Sequence, residues 1–203
     1  MHGWLLVVLM TATLTLYRYR HEWPLYLLIP LGAYILLAVL IPRLRHTAPR
    51  IEIGRMDAGA LFVAGLYALA CSALFIGVCE AYHVNFIGFA RQVPRWNPTL
   101  IVVVCFCGSL INSCLEELIW RGVVYGAFAA QFGVTVAILL QAVGFSFEHM
   151  FFIPVEWLGM CMAFIFGIVL GWLRYRSGGI GTAILAHWVM DLTLMGMVLA
   201  LWF

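Results

Sequence analysis

The sequence contains no lysine, and charge of either sign is scarce: only 10% of its 203 residues are charged. A soluble domain carries about 25%. With 65% apolar residues and a mean hydropathy of +1.04, there is too little polar surface for a water-soluble fold. The composition is that of an integral membrane protein. All eleven basic residues are arginine, which reads as codon bias rather than chemistry. The net charge of +2 is too small to suggest a nucleic-acid partner.

Other absences narrow the reading further. The N-terminal run M-H-G-W-L-L-V-V-L-M has no basic n-region, and no A-x-A-like site follows it cleanly. It is therefore expected to be a retained first helix. The six cysteines, Cys71, Cys79, Cys105, Cys107, Cys114 and Cys161, include one C-x-C and no C-x-x-C. They form no zinc-finger spacing and are expected to act as small buried hydrophobes. There is no H-E-x-x-H, no internal repeat and no low-complexity tract.

Seven apolar segments are present: Gly3–Tyr17, Pro24–Ile41, Ala58–Cys79, Thr99–Ala129, Val134–Phe152, Trp157–Leu173 and Ile180–Trp202. A span needs about 20 mostly apolar residues, with some tolerance for shorter ones. These segments predict an all-α membrane protein, a single transmembrane domain over 1–203 with about seven helices around a polar intramembrane cavity. The first segment is short enough to be interfacial. The fourth is long and is expected to break or tilt. Arginines cluster in Pro42–Asp57 and in Arg174–Gly179. A seven-span count puts both loops and the N-terminus on one side, cytoplasmic by the positive-inside rule. Arg18, Arg20, Arg91 and Arg95 fall opposite. The loop Glu80–Pro98 carries Phe86, Phe89 and Trp96, as a lid or interfacial segment would.

Against this background three polar islands stand out. The first is L-E-E-L-I-W-R-G, Leu115 to Gly122, inside the fourth apolar segment. Charges at that depth cost a few kcal/mol each and mark functional sites. Glu117 and Arg121 are spaced i, i+4 and can pair. Glu116 is turned about 100° from Glu117 and has no partner at that spacing on its own helix. Burial disfavours a charged carboxylate, and a general base works best with a pKa near the working pH. The second island is F-S-F-E-H, with His149 one turn after Phe145 and Glu148 on a different face. Pro154 predicts a helix end, which places Glu148 and Glu156 near the aqueous rim. The third is H-W-V-M-D, where Asp191 at i+4 can orient His187 and fix its tautomer. Thr182 is a candidate cap for that helix.

Each island alone also reads as a structural polar cluster. Random membrane bundles rarely put so many ionisable groups on consecutive helices. One tension remains. The seven-span boundaries place Glu116, His149 and His187 roughly 20, 22 and 10 Å from the cytoplasmic ends of their segments, whereas one reaction centre needs one depth.

The ordered trio E-E-x-x-x-R, F-x-x-x-H and H-x-x-x-[N/D], over about Leu110 to Met195, resembles the CPBP family. These are the CAAX-processing and bacteriocin-processing intramembrane proteases, also called Abi. The resemblance implies a glutamic-type endopeptidase cleaving within or near the bilayer of a multi-pass membrane protein, expected in a prokaryotic cytoplasmic membrane. It makes Glu116 the base that activates water. It makes His149 and His187 the groups that orient the water or stabilise the oxyanion, with Glu117 and Arg121 in support. Asp191 stands where the family often has Asn. An amide can donate to an oxyanion and an ionised Asp cannot, so Asp191 is either protonated or acts by orienting His187. The implied substrate is a membrane-associated protein or peptide in the lipid bilayer: a prenylated CAAX protein, a bacteriocin leader or a sorting anchor. No cofactor is implied. A zinc enzyme using two His and one or two carboxylates, a proton-relay transporter and a catalytically silent immunity or scaffold protein are the rival readings. Oligomeric state is not readable.

Overall fold

The computed structural model describes residues 1–15, 23–91, 93–151 and 156–202. These are helical, with no strand among them. In chain order the helices are α1 (His2–Thr15), α2 (Leu25–Leu40), α3 (Pro42–Thr47), α4 (Ala58–Ala81), α5 (Ile87–Ala90) and α6 (Pro98–Glu117). A π-helical stretch, Leu118–Val124, leads directly into α7 (Tyr125–Phe132). Then come α8 (Val134–Glu148), a 3₁₀ turn (His149–Phe151), α9 (Glu156–Ser177) and α10 (Gly181–Trp202). The described parts of the seven apolar segments are mostly helical. Among the described residues, four helical stretches are long and apolar enough to cross a membrane: Ala58–Ala81, Pro98–Phe132, Trp157–Ser177 and Gly181–Trp202. α1, α2 and α8 are apolar but shorter.

The local signals are ordinary ones. Asp57 caps α4 by accepting from the Ala60 amide, and Asn97 caps α6 by accepting from Thr99, with Pro98 in the first turn. Gly133 turns the chain between α7 and α8 with a φ of +83°, a conformation costly for other residues. Thr182 does not cap α10. It lies inside the helix, and its hydroxyl bonds Ser177 Oγ at 3.0 Å.

The outer surface explains the composition. Phe62, Leu69, Leu40 and Val39 are each more than 60% exposed. A helix in water would put polar residues there; contiguous apolar surface on this scale needs lipid or a partner. The cysteines follow the same pattern. All six are free, but only Cys79 is buried, and Cys107, Cys114 and Cys161 face outward. The expectation of burial is corrected: in a membrane protein an apolar side chain can face lipid at little cost.

Small residues set the central crossing. Gly167 and Gly171 on α9 lie against α8: a Cβ at Gly167 would stand 3.0 Å from Ala142 Cα, and one at Gly171 2.7 Å from Gln141 Nε2. This i, i+4 pair of glycines permits close backbone approach, as in membrane helix dimers. It exposes the Gly167 carbonyl to Gln141 Nε2 at 2.8 Å.

One end of the molecule gathers the arginine loops. The Ile180 and Gly181 amides donate to Glu52 and Ile53 carbonyls, and Arg55 N donates to Ser177 O. Gly54, at φ +79°, packs directly on Gly179, where a side chain on either would collide. His2 bonds Tyr34 Oη at 2.8 Å and Thr47 Oγ1 at 2.9 Å. The N-terminus, Pro42–Asp57 and the α9–α10 turn therefore share one end. Arg18, Arg20, Pro154 and the Glu156 side chain lie outside the described residues.

Candidate active site

The carboxylates of α6 sit immediately before the π stretch, and α6 carries them to the middle of the bundle. The long fourth segment does not break at the charged island: it runs on as helix from Pro98 to Phe132, widening to a π stretch over Leu118–Val124. The widened turn is of the kind often found at functional sites. Glu116, Glu117, Arg121 and His187 are all buried.

Glu117 organises the centre. Its Oε1 accepts from Arg121 Nη1 at 2.8 Å and from His187 Nδ1 at 2.7 Å. The i, i+4 pair is thus confirmed, and it is fully desolvated. Arg121 lies over the face of Phe145, with its guanidinium carbon 4.4 Å from the ring centroid, a favourable cation–π contact. Its Nη2 approaches the Gly167 carbonyl at 3.4 Å. Phe145 in turn meets the edge of His187 at 5.8 Å and stacks beside His149 at 4.4 Å between centroids. The Phe of F-x-x-x-H is therefore the wedge that holds Arg121 and both imidazoles together.

The tautomer of His187 is set by Glu117, which corrects the role expected of Asp191. With Nδ1–H donated to Glu117, Nε2 faces Glu116 Oε2 at 3.7 Å and Asp191 Oδ1 at 3.5 Å. Those separations are too long for direct hydrogen bonds. His149 Nδ1 lies 2.9 Å from the Phe145 carbonyl; a carbonyl only accepts, so Nδ1 carries the proton.

Glu116 does have a partner on its own helix, at i−4 rather than i+4. Asn112 Nδ2 donates to Glu116 Oε1 at 3.0 Å and to Asp191 Oδ2 at 3.1 Å. Ser113 Oγ adds a bond to Asp191 Oδ2 at 3.0 Å. The Asn112 carbonyl oxygen accepts from Trp23 Nε1 at 3.0 Å. Glu116 Oε2 has no hydrogen-bond partner among the described residues. The depth conflict disappears, because Glu116 and His187 are neighbours across α6 and α10. Asn112 and Ser113 were legible as polar residues one turn before the glutamates. Nothing in the sequence ties Trp23 to this place.

Glu148 also departs from expectation. It is 1% exposed, not at a rim. Trp120 Nε1 donates to its Oε2 at 2.6 Å, while its Oε1 has no partner among the described residues. Trp120 reaches it over Gly144, where a Cβ would collide with the indole ring.

A cleft of about 90 Å³ lies beside these groups, lined by Phe145, His149, Phe166, His187, Met190 and Asp191, among others. It has room for several waters. Leu74 and Ile165 also line it, and both face outward, so it opens at the surface of the bundle. Glu116 is not on the cleft wall; it lies behind His187. Among the described residues no group of three His, Cys, Asp or Glu is disposed to hold a metal ion.

Residues 97–193 match the model of one family, type II CAAX prenyl endopeptidase Rce1-like. That segment holds all three motifs and is similar to the Rce1-like proteins of the CPBP or Abi family. The family suggests intramembrane endopeptidase activity, that is, a peptide hydrolase acting in the membrane. No curated protein and no solved structure gives a match.

Proposed function

We propose that this chain is a glutamic-type intramembrane endopeptidase, in a seven-helix membrane bundle, that hydrolyses a peptide bond of a membrane-associated protein or peptide. The observation that carries the reading is Glu116 Oε2: buried, without a hydrogen-bond partner among the described residues, and 3.7 Å from His187 Nε2. In this reading a water enters past His187 from the cleft and is held about 2.8 Å from each atom. Glu116 Oε2 takes a proton from this water as its oxygen attacks the scissile carbonyl. The same proton then passes to the leaving amine as the C–N bond breaks. His187, with Nδ1–H committed to Glu117, turns Nε2 to the water. In its doubly protonated form that atom donates to the tetrahedral oxyanion. His149, on the cleft wall, serves the same oxyanion or orients the peptide. Glu117 and Arg121 hold His187, and Asp191 flanks it.

The name of the matched family points to a prenylated C-terminal CAAX protein as the first substrate class to test. A bacteriocin leader or a sorting anchor would bring the same kind of lipid-tethered or membrane-bound peptide to the cleft. Comparing new peptide termini in cells carrying the wild-type chain or Glu116→Gln, at equal membrane abundance, tests the reading. Termini that vanish with Glu116→Gln are expected, and they name the substrate. Identical termini in both strains would overturn the proposal.

A further inference from the structure

We propose that Asn112 is a positioning residue of this site. Its amide ties Glu116 on α6 to Asp191 on α10, and it selects Glu116 Oε2 as the atom that receives the proton. The inference rests on the proteolytic reading above.

An indole N–H can only donate, so the Trp23 bond at 3.0 Å identifies the Asn112 atom it meets as Oδ1. Both Nδ2 hydrogens then point inward, one to Glu116 Oε1 and one to Asp191 Oδ2. A single amide thus joins two carboxyl groups on different helices. Ionised, Asp191 can only accept, and Asn112 gives it one of its two amide hydrogens. The consequence for Glu116 is specific. Oε1 is clamped at 3.0 Å, with Tyr26 Oη a further 3.5 Å contact. Oε2 faces His187 Nε2 at 3.7 Å and has no hydrogen-bond partner among the described residues. Hydrogen bonds to charged groups are the strong ones, and a base held in one rotamer meets its water in one geometry. Without the amide, Glu116 is free to turn either oxygen away from His187.

The test uses the full-length protein in detergent and a peptide spanning the Glu116-dependent cleavage site. Asn112→Ala is expected to lower kcat roughly 10- to 100-fold, the effect of one hydrogen bond to a charged group, with KM within about twofold. In Asn112→Ala/Asp191→Asn the amide returns from α10, and kcat is expected to recover at least about tenfold. Wild-type kcat for Asn112→Ala, or a double variant no better than the single one, would overturn the proposal. A purely structural tie between α6 and α10 would lower folded yield without this split or this rescue. If Asn112→Ala does not fold, Trp23→Phe carries the test. Trp23 is exposed, so its loss spares the core but lets the amide flip; a kcat several-fold below wild type is expected, and an unchanged kcat overturns the role. Glu116→Gln run alongside separates the two levels. If cleavage persists in Glu116→Gln, the proteolytic reading fails and this role fails with it. Glu116-dependent cleavage that ignores Asn112 removes this role alone.

Discussion

At the scale of single residues, the site is a problem in buried charge. Glu116, Glu117 and Glu148 are buried and Asp191 half-buried, while Arg121 is the one guanidinium among them. The structure answers with donors of several kinds: an arginine and an imidazole for Glu117, an amide for Glu116, an amide and a hydroxyl for Asp191, an indole for Glu148. Removing one member of a desolvated ion pair leaves the other uncompensated, at about 3–5 kcal/mol. Glu117→Ala and Arg121→Ala are therefore expected to lower folded yield as well as activity, measured by size-exclusion recovery in detergent beside turnover. Normal yield with lost turnover would move both residues among the reacting groups. Of these donors, Arg121 was readable from its spacing. The Glu148–Trp120 bond was not, because the two residues are 28 positions apart and meet only when α8 lies along the π stretch.

At the scale of elements, the helices are placed by what they lack. Gly144 leaves a gap on α8 that the Trp120 ring fills, and Gly167 and Gly171 let α9 press against α8. Van der Waals packing of this kind is what holds helices together in lipid, where apolar burial supplies little. Gly144→Ala is expected to push the Trp120 ring away from Glu148 and destabilise the fold by about 1–3 kcal/mol. A lower Tm and altered Trp fluorescence would report it; an unchanged Tm would show that the indole has room to move. The π stretch belongs to this scale too. It lies beside Glu116 and Glu117 in a helix that runs unbroken from Pro98 to Phe132, where the sequence predicts a break or a tilt. Its hydrogen-bond pattern carries no signature in the residue types.

At the scale of the whole molecule, sidedness is the testable quantity. Backbone bonds join residues 52–55 to residues 177–181, and His2 reaches Thr47, so the arginine loops and the N-terminus occupy one end. In a cysteine-free background, Arg45→Cys and Tyr175→Cys are expected to react with an impermeant thiol reagent from the same face of sealed vesicles. Labelling from opposite faces would break the topology. Seven apolar segments were legible because hydrophobic runs are long and local signals. Four of the helical stretches reach the length of a full crossing, and α1, α2 and α8 are shorter. Run length alone therefore does not say how deep each helix sits.

The chain's chemistry by itself determined that this is a helical membrane protein, and which residues carry the three polar motifs. Those conclusions follow from composition and from i, i+4 spacing, both of which act within one helix. Only the tertiary structure decided which groups meet. Glu117, not Asp191, holds His187; Asn112 and Trp23 attend Glu116; Glu148 is buried under Trp120. The physical reason is that α6, α8 and α10 come together through glycine gaps and single polar contacts. Those contacts link residues tens of positions apart, where spacing along the sequence carries no information about distance.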